Sequence, residues 1–283
     1  MNVYAIETGN FKLDGGAIFG VVPKTIWGAK YPADDKNLCN FCMRCLLIEV
    51  DNRRILIDCG MGNTMPENLL KYYYINGDDT LLGSLLACGV EPEQITDVVL
   101  SHLHFDHCGG AVTKHTDGSL HLTFPNAQYW VGKSQWESAL KPNRRERPSF
   151  LKDNIEPLQH SGKLNLIDST TIIAPDVELR LYNGHTLGQI IPFIHYKNKT
   201  LVYTADFIPT SVHIPVSFVC GYDIYPLQTM DETEAFLQEA VEKNYVLFFE
   251  HDIQVECCDL IQTPKGVAIG NVFTLEEFKA SVN

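Results

Sequence analysis

The chain has 283 residues, 45% of them hydrophobic, with 22 Lys and Arg against 35 Asp and Glu for a formal net charge of −13. That length and apolar content support a substantial buried core, and the acidic balance excludes the positive footprint by which proteins hold nucleic acid or an anionic membrane surface. No apolar run approaches the roughly 20 residues that span a bilayer, and the opening MNVYAIETGN lacks the basic and apolar regions of a leader, so a cytoplasmic location is expected.

Alternating and short apolar runs predict strands near 3–7, 17–22, 45–50 and 54–58, the last two joined by the polar turn DNRR. Just before the third of these, CNFCMRC sets Cys39, Cys42 and Cys45 at a spacing that could suggest an iron–sulfur or zinc site. A fourth sulfur is missing and the stretch runs straight into LLIEV, so packing of small apolar thiols is the expected role. Nine cysteines in a chain with no export signal read as reduced thiols, Cys257 and Cys258 as packing residues. The leucines of TLLGSLLACG recur at helical spacing, predicting a helix over 80–89, and TDVVL follows as a buried strand. Further strands are predicted at 128–131, 178–183, 190–196, 200–205 and 245–249, with helices at 231–243 and 274–281. With no linker or repeat, residues 1–283 form a single α/β domain. Residues 141–162 interrupt the pattern with Pro142, Pro148, Pro157 and the basic run RRER, which reads as a surface insertion that borders a pocket if it has a function.

At the end of the TDVVL strand, SHLHFDHCGG places His102, His104, Asp106 and His107 within six positions. The first two histidines, two residues apart in a loop, can address one cation, while Asp106 and His107 point elsewhere. The loop therefore serves two ions. It cannot complete both coordination spheres, because a catalytic zinc takes about three protein ligands plus water. Three distant residues end predicted buried strands and can supply the rest: His185 after VELRLY, Asp206 after TLVYTA, and His251 after YVLFFE.

The intact H-x-H-x-D-H pattern, with ILIDCGMG upstream and GHTLG, Asp206 and His251 downstream in order, strongly resembles the metallo-β-lactamase superfamily. The resemblance implies a four-layer αβ/βα sandwich. It also implies two divalent metal ions, with zinc the best match and iron, manganese or cobalt able to accept similar ligands. One ion would sit on His102, His104 and His185, the other on Asp106, His107 and His251, with Asp206 bridging and Asp58 orienting ligands from behind. Hydroxide held by the two ions would attack the substrate, Asp106 and Asp206 would be the catalytic carboxylates, and Ser101 and Cys108 would not be needed as nucleophiles.

Within the superfamily, the segments Asp14–Pro32 and Ala205–Leu227 are most similar to quorum-quenching N-acyl-homoserine lactonases and methyl parathion-type organophosphate hydrolases. Lactone opening is the expected activity on a small-molecule substrate, with phosphotriester, other ester or thioester hydrolysis as the alternative and di-iron redox chemistry as a remote one. Those lactonases carry a substrate-assisting Tyr three positions after the bridging Asp. Here Pro209 stands there, leaving His213, Tyr222 or Tyr225 as candidates, His213 first. Phe19, Trp27 and Phe207 are candidates to line an apolar pocket, and FGVVPKTIW is an apolar stretch that would suit a homodimer.

Overall fold

The computed structural model describes residues 1–282. Its contacts gather into two compact units, each drawn from discontinuous segments: Met1–Asn10, Met43–Thr171 and Leu187–Ile190 in the first; Phe11–Cys42, Ile172–Thr186 and the residues from Ile191 onward in the second.

The strands are, in chain order, β1 (Asn2–Asp14), β2 (Leu38–Val50), β3 (Arg53–Ile57), β4 (Asp97–Val99), β5 (Val112–Lys114), β6 (Leu120–Leu122), β7 (Gln128–Gly132) and β8 (Leu164–Ile167). All but the short β5–β6 hairpin join one sheet in the order β1-β2-β3-β4-β7-β8. β2 and β3 are antiparallel and turn through Asp51 in the left-handed region at φ 51°. From β3 to β8 the strands run parallel. Parallel strands are covered on both faces, which is why Leu56, Ile57, Val98 and Val99 are fully buried and why these stretches read as unbroken apolar runs. Pairing Ile57 with Val99 sets the carboxyl ends of β3 and β4 side by side. The residues that follow, Asp58 and Ser101–His102, are thereby delivered to one place.

The second unit holds β9 (Thr171–Ala174), β10 (Val177–Tyr182), β11 (Gln189–Tyr196), β12 (Lys199–Tyr203), β13 (Val246–Phe248), β14 (Cys257–Thr263) and β15 (Gly266–Phe273), ordered β15-β14-β13-β12-β11-β10-β9. β12 and β13 are its parallel pair, with Tyr203 opposite Phe248, so the loops carrying Asp206 and His251 leave the same edge. Between these two strands runs the helix Pro226–Glu242, which buries Thr229, Thr233, Phe236, Leu237 and Ala240 at helical spacing.

Most predicted elements are present with their ends moved by a few residues. The strand expected at 17–22 is not: Asp14 caps a short helix, Gly15–Ile18, by accepting from the Gly16 and Ala17 amides, and the chain then turns. Apolar residues there had the right composition for a strand, but the cap decides the local backbone. The segment 141–162 is more ordered than its prolines suggest, with a helix at Lys152–His160 that tolerates Pro157. The 257–273 hairpin is not marked in the sequence because β15 buries none of its residues fully and carries no apolar alternation. Among the described residues no helix is long and apolar enough to cross a membrane.

Candidate metal centre

Asp58 anchors the first half of the site. It follows β3 with φ 57°, and its fully buried carboxylate accepts from the Ser101 amide at 2.7 Å, the Ser101 hydroxyl at 2.6 Å and His107 Nδ1 at 3.2 Å. The glycine pair after the cluster lets the neighbouring turn close on it: a Cβ on Gly109 would lie 2.0 Å from the Met61 carbonyl oxygen, and one on Gly110 2.1 Å from that of Cys59. The backbone there is bonded directly, Cys59 N to His107 O at 2.7 Å and Gly110 N to Gly60 O at 3.0 Å.

The outer nitrogen of each histidine fixes its tautomer. Since Ser101 Oγ donates to Asp58, it accepts from His102 Nδ1 at 3.1 Å. Glu146, a buried carboxylate from the 141–162 segment, accepts from His104 Nε2 at 3.4 Å. Both inner nitrogens, His102 Nε2 and His104 Nδ1, therefore carry lone pairs, and they approach to 3.0 Å with the rings 79° apart. Two lone pairs at that separation repel unless a cation lies against them. His107 follows the same logic: with Nδ1 tied to Asp58, its Nε2 lone pair faces Asp106 Oδ2 at 3.8 Å.

The second half repeats the arrangement. Asp223 accepts from His185 Nδ1 at 2.8 Å, and the Cys42 carbonyl accepts from His251 Nδ1 at 2.8 Å. The two remaining lone pairs, both on Nε2, face the two oxygens of one carboxylate: His185 lies 3.2 Å from Asp206 Oδ2 and His251 3.1 Å from Asp206 Oδ1. An anion flanked by two neutral lone pairs is the arrangement expected of a carboxylate that bridges two cations. The turn that presents it is strained, with Ala205 at φ 41°. All seven residues belong to His/Asp clusters suited to holding metal ions.

The other candidates have different surroundings. Burial pushes the Cys108 thiol up to about 12, and its Sγ donates to the Leu103 carbonyl at 3.3 Å, so it offers no thiolate. His213 is bonded through both ring nitrogens, Nε2 to the Ile18 carbonyl at 3.0 Å and Nδ1 to the Thr210 hydroxyl at 2.8 Å, and it stacks on Phe19. Burial holds its imidazole below the usual range, hence neutral. Nothing on the ring is left for a substrate oxygen, which corrects its expected assisting role. Tyr222 and Tyr225 are exposed. Phe19 and Trp27, stacked at 4.9 Å, are 0% and 1% exposed, and Phe207, at 2%, packs on Tyr182. They are core, not an open pocket wall. Cys39, Cys42 and Cys45 are buried along β2, where odd and even positions face opposite ways, so they converge on no common ion.

The superfamily model for metallo-β-lactamases matches residues 44–251, well over half of the chain. The chain belongs to the metallo-β-lactamase superfamily. An N-acyl homoserine lactonase from Bacillus thuringiensis is 26% identical over 232 residues, covering 77% of this chain and 84% of the relative. A "probable metal-dependent hydrolase" from Staphylococcus aureus superposes with a TM-score of 0.88 at 28% identity, covering 97% of each chain. A dizinc quorum-quenching lactonase in complex with a product shares the fold, with a TM-score of 0.76 at 23% identity over 95% of this chain and 93% of the other. The fold is thus the metallo-β-lactamase fold, and the protein is a metal-dependent hydrolase of that superfamily.

Two residues that orient the ligands escaped the sequence: Glu146 and Asp223. Glu146 is the lone acid in a basic run, a weak signal, and Asp223 in GYDIYP carries none. A carboxylate holding the far nitrogen of a ligating histidine raises its basicity and fixes its aim. Asp223→Ala is therefore expected to weaken metal affinity by about 10- to 100-fold, measured by competition with a chromophoric chelator. Unchanged affinity would remove Asp223 from this role.

Proposed function

We propose that this protein is a dinuclear metallohydrolase, one domain built around a single centre, that opens the ring of a small neutral lactone of the N-acyl-homoserine type. His102, His104 and His185 hold one ion, Asp106, His107 and His251 the other, and Asp206 bridges them, with zinc the metal. The observation that carries this reading is the direction of the imidazole lone pairs, turned inward on both halves while every outer nitrogen is tied to an oxygen acceptor. Membership of the superfamily supports joining the halves in one centre, and the lactonases among the relatives support the substrate.

Two divalent cations, when bound, supply an activated water at neutral pH and polarise the scissile carbonyl. The chain's own residues do the rest. Asp58 and Ser101 hold His102 and His107 in register from behind the loop. Each oxygen of Asp206 is turned to a histidine at 3.2 or 3.1 Å, whereas Asp106 lies farther from His107, at 3.8 Å, and both carboxylates keep a small part of their surface open. Asp106 is the carboxylate able to carry the proton to the departing ring oxygen. Nucleophilic catalysis by a side chain is unnecessary, since Ser101 donates to Asp58 and the Cys108 thiol stays protonated.

A substrate panel of lactones, phosphotriesters, thioesters and β-lactams, run with metal content measured on the same sample, tests the reading. N-acyl-homoserine lactones are expected to turn over fastest. Rapid phosphotriester cleavage without lactone turnover would overturn the substrate assignment.

A further inference from the structure

Between the short helix Glu67–Leu70 and Gly77 the chain reads Lys-Tyr-Tyr-Tyr-Ile-Asn. Tyr72 is 63% and Tyr74 43% exposed, but Tyr73 turns inward and is half-buried. The turn is held at both ends. The Tyr73 amide donates to the Leu70 carbonyl at 3.0 Å, Tyr74 adopts φ 45°, and Asn76 pairs with Asn10 through two backbone bonds of 2.8 and 2.9 Å. The inward ring lies 4.8 Å from that of Phe105 at 60°. Phe105 sits in sequence between His104 and Asp106, so Tyr73 packs against the ligand loop itself.

Packing accounts for the ring and not for its oxygen. The Tyr73 hydroxyl makes no hydrogen bond to another described residue, which leaves it open to donate outward. A tyrosine phenol ordinarily titrates well above neutral pH, so the hydroxyl carries a proton to donate. Two other donors of the loop are engaged, Ser101 to Asp58 and Cys108 to Leu103. Pro209 has no donor at all.

We propose that the Tyr73 hydroxyl donates a hydrogen bond to the oxygen of the substrate ester as it gains charge, making Tyr73 a catalytic residue for the lactone opening proposed above. The inference rests on the lactonase reading, and the two can fail separately.

The test compares the full-length, zinc-loaded enzyme with Tyr73→Phe and Tyr73→Ala on an N-acyl-homoserine lactone, with melting temperature and bound zinc measured alongside. Tyr73→Phe keeps the contact with Phe105 and removes only the hydroxyl. It is expected to retain its melting temperature and zinc, with kcat about 10- to 30-fold lower and KM within about twofold, the pattern of a bond that strengthens in the transition state. Calorimetric affinity for the ring-opened N-acyl-homoserine should fall only a few-fold. Wild-type kcat in Tyr73→Phe overturns the proposal, whatever Tyr73→Ala does. A wild-type enzyme that opens no lactone removes the reading beneath it, and the proposal with it.

Discussion

Replacing Asp206 by Asn is expected to lower hydrolysis by about three orders of magnitude or more and, if the proposed two-zinc centre holds, to reduce bound zinc from two equivalents per chain to one or none. The reason lies in the two short approaches to its carboxylate, His185 Nε2 at 3.2 Å and His251 Nε2 at 3.1 Å. A carboxylate can face a cation on each oxygen. An amide keeps one carbonyl oxygen and replaces the other with an NH2 that donates to one histidine's lone pair, closing that side to metal. Because the amide preserves volume and its NH2 bonds to one of the rings, the variant is expected to fold. Metal analysis and kcat/KM on the same preparation check the outcome, and a variant with two zinc ions and full rate would remove Asp206 from the centre.

The second large effect belongs to Asp58, which touches no substrate. Its buried carboxylate satisfies the Ser101 amide and hydroxyl and His107 Nδ1 at once. Asp58→Ala strands those three donors in a part of the protein closed to water, where each lost bond leaves an unmet desolvation penalty of about 1–3 kcal/mol. A loss of about 3–5 kcal/mol in folding free energy is expected, in the range found when a buried charge partner is removed. Metal binding should weaken with it, since His102 loses its support through Ser101 and His107 is free to turn. Urea unfolding with zinc and with chelator checks this: the variant should be destabilised in both, and the stabilisation gained from zinc should shrink. Equal stabilisation by zinc in variant and wild type would confine Asp58 to folding.

How much of this was visible in the residues themselves follows a physical division. Most of the ligands were legible because they follow a short buried strand, and an apolar run that ends abruptly in His or Asp is conspicuous at 97–104, 201–206 and 246–251. Parallel pairing of β3 with β4 and of β12 with β13 turns that one-dimensional mark into adjacency. Of the groups that orient the ligands, Asp58 was legible from its motif, whereas Glu146, Asp223 and the Cys42 carbonyl were not, because they act through contacts 38 to 209 residues apart in sequence with no spacing to betray them. The 141–162 segment was read for its prolines, while its contribution is one buried Glu and the Phe150 ring 5.3 Å from His104. His213 misled for the opposite reason. A histidine near a proline-rich turn looks available, and only the structure shows both nitrogens already bonded.

The central claim is that seven side chains hold two cations and that hydrolysis depends on them. Zinc titration of chelator-stripped protein, followed by anomalous diffraction from the reconstituted crystal, tests it most directly. Two peaks about 3.5–4 Å apart are predicted, one against His102, His104 and His185, the other against Asp106, His107 and His251, with Asp206 touching both. A single peak, or zinc bound to residues outside this set, would contradict the account.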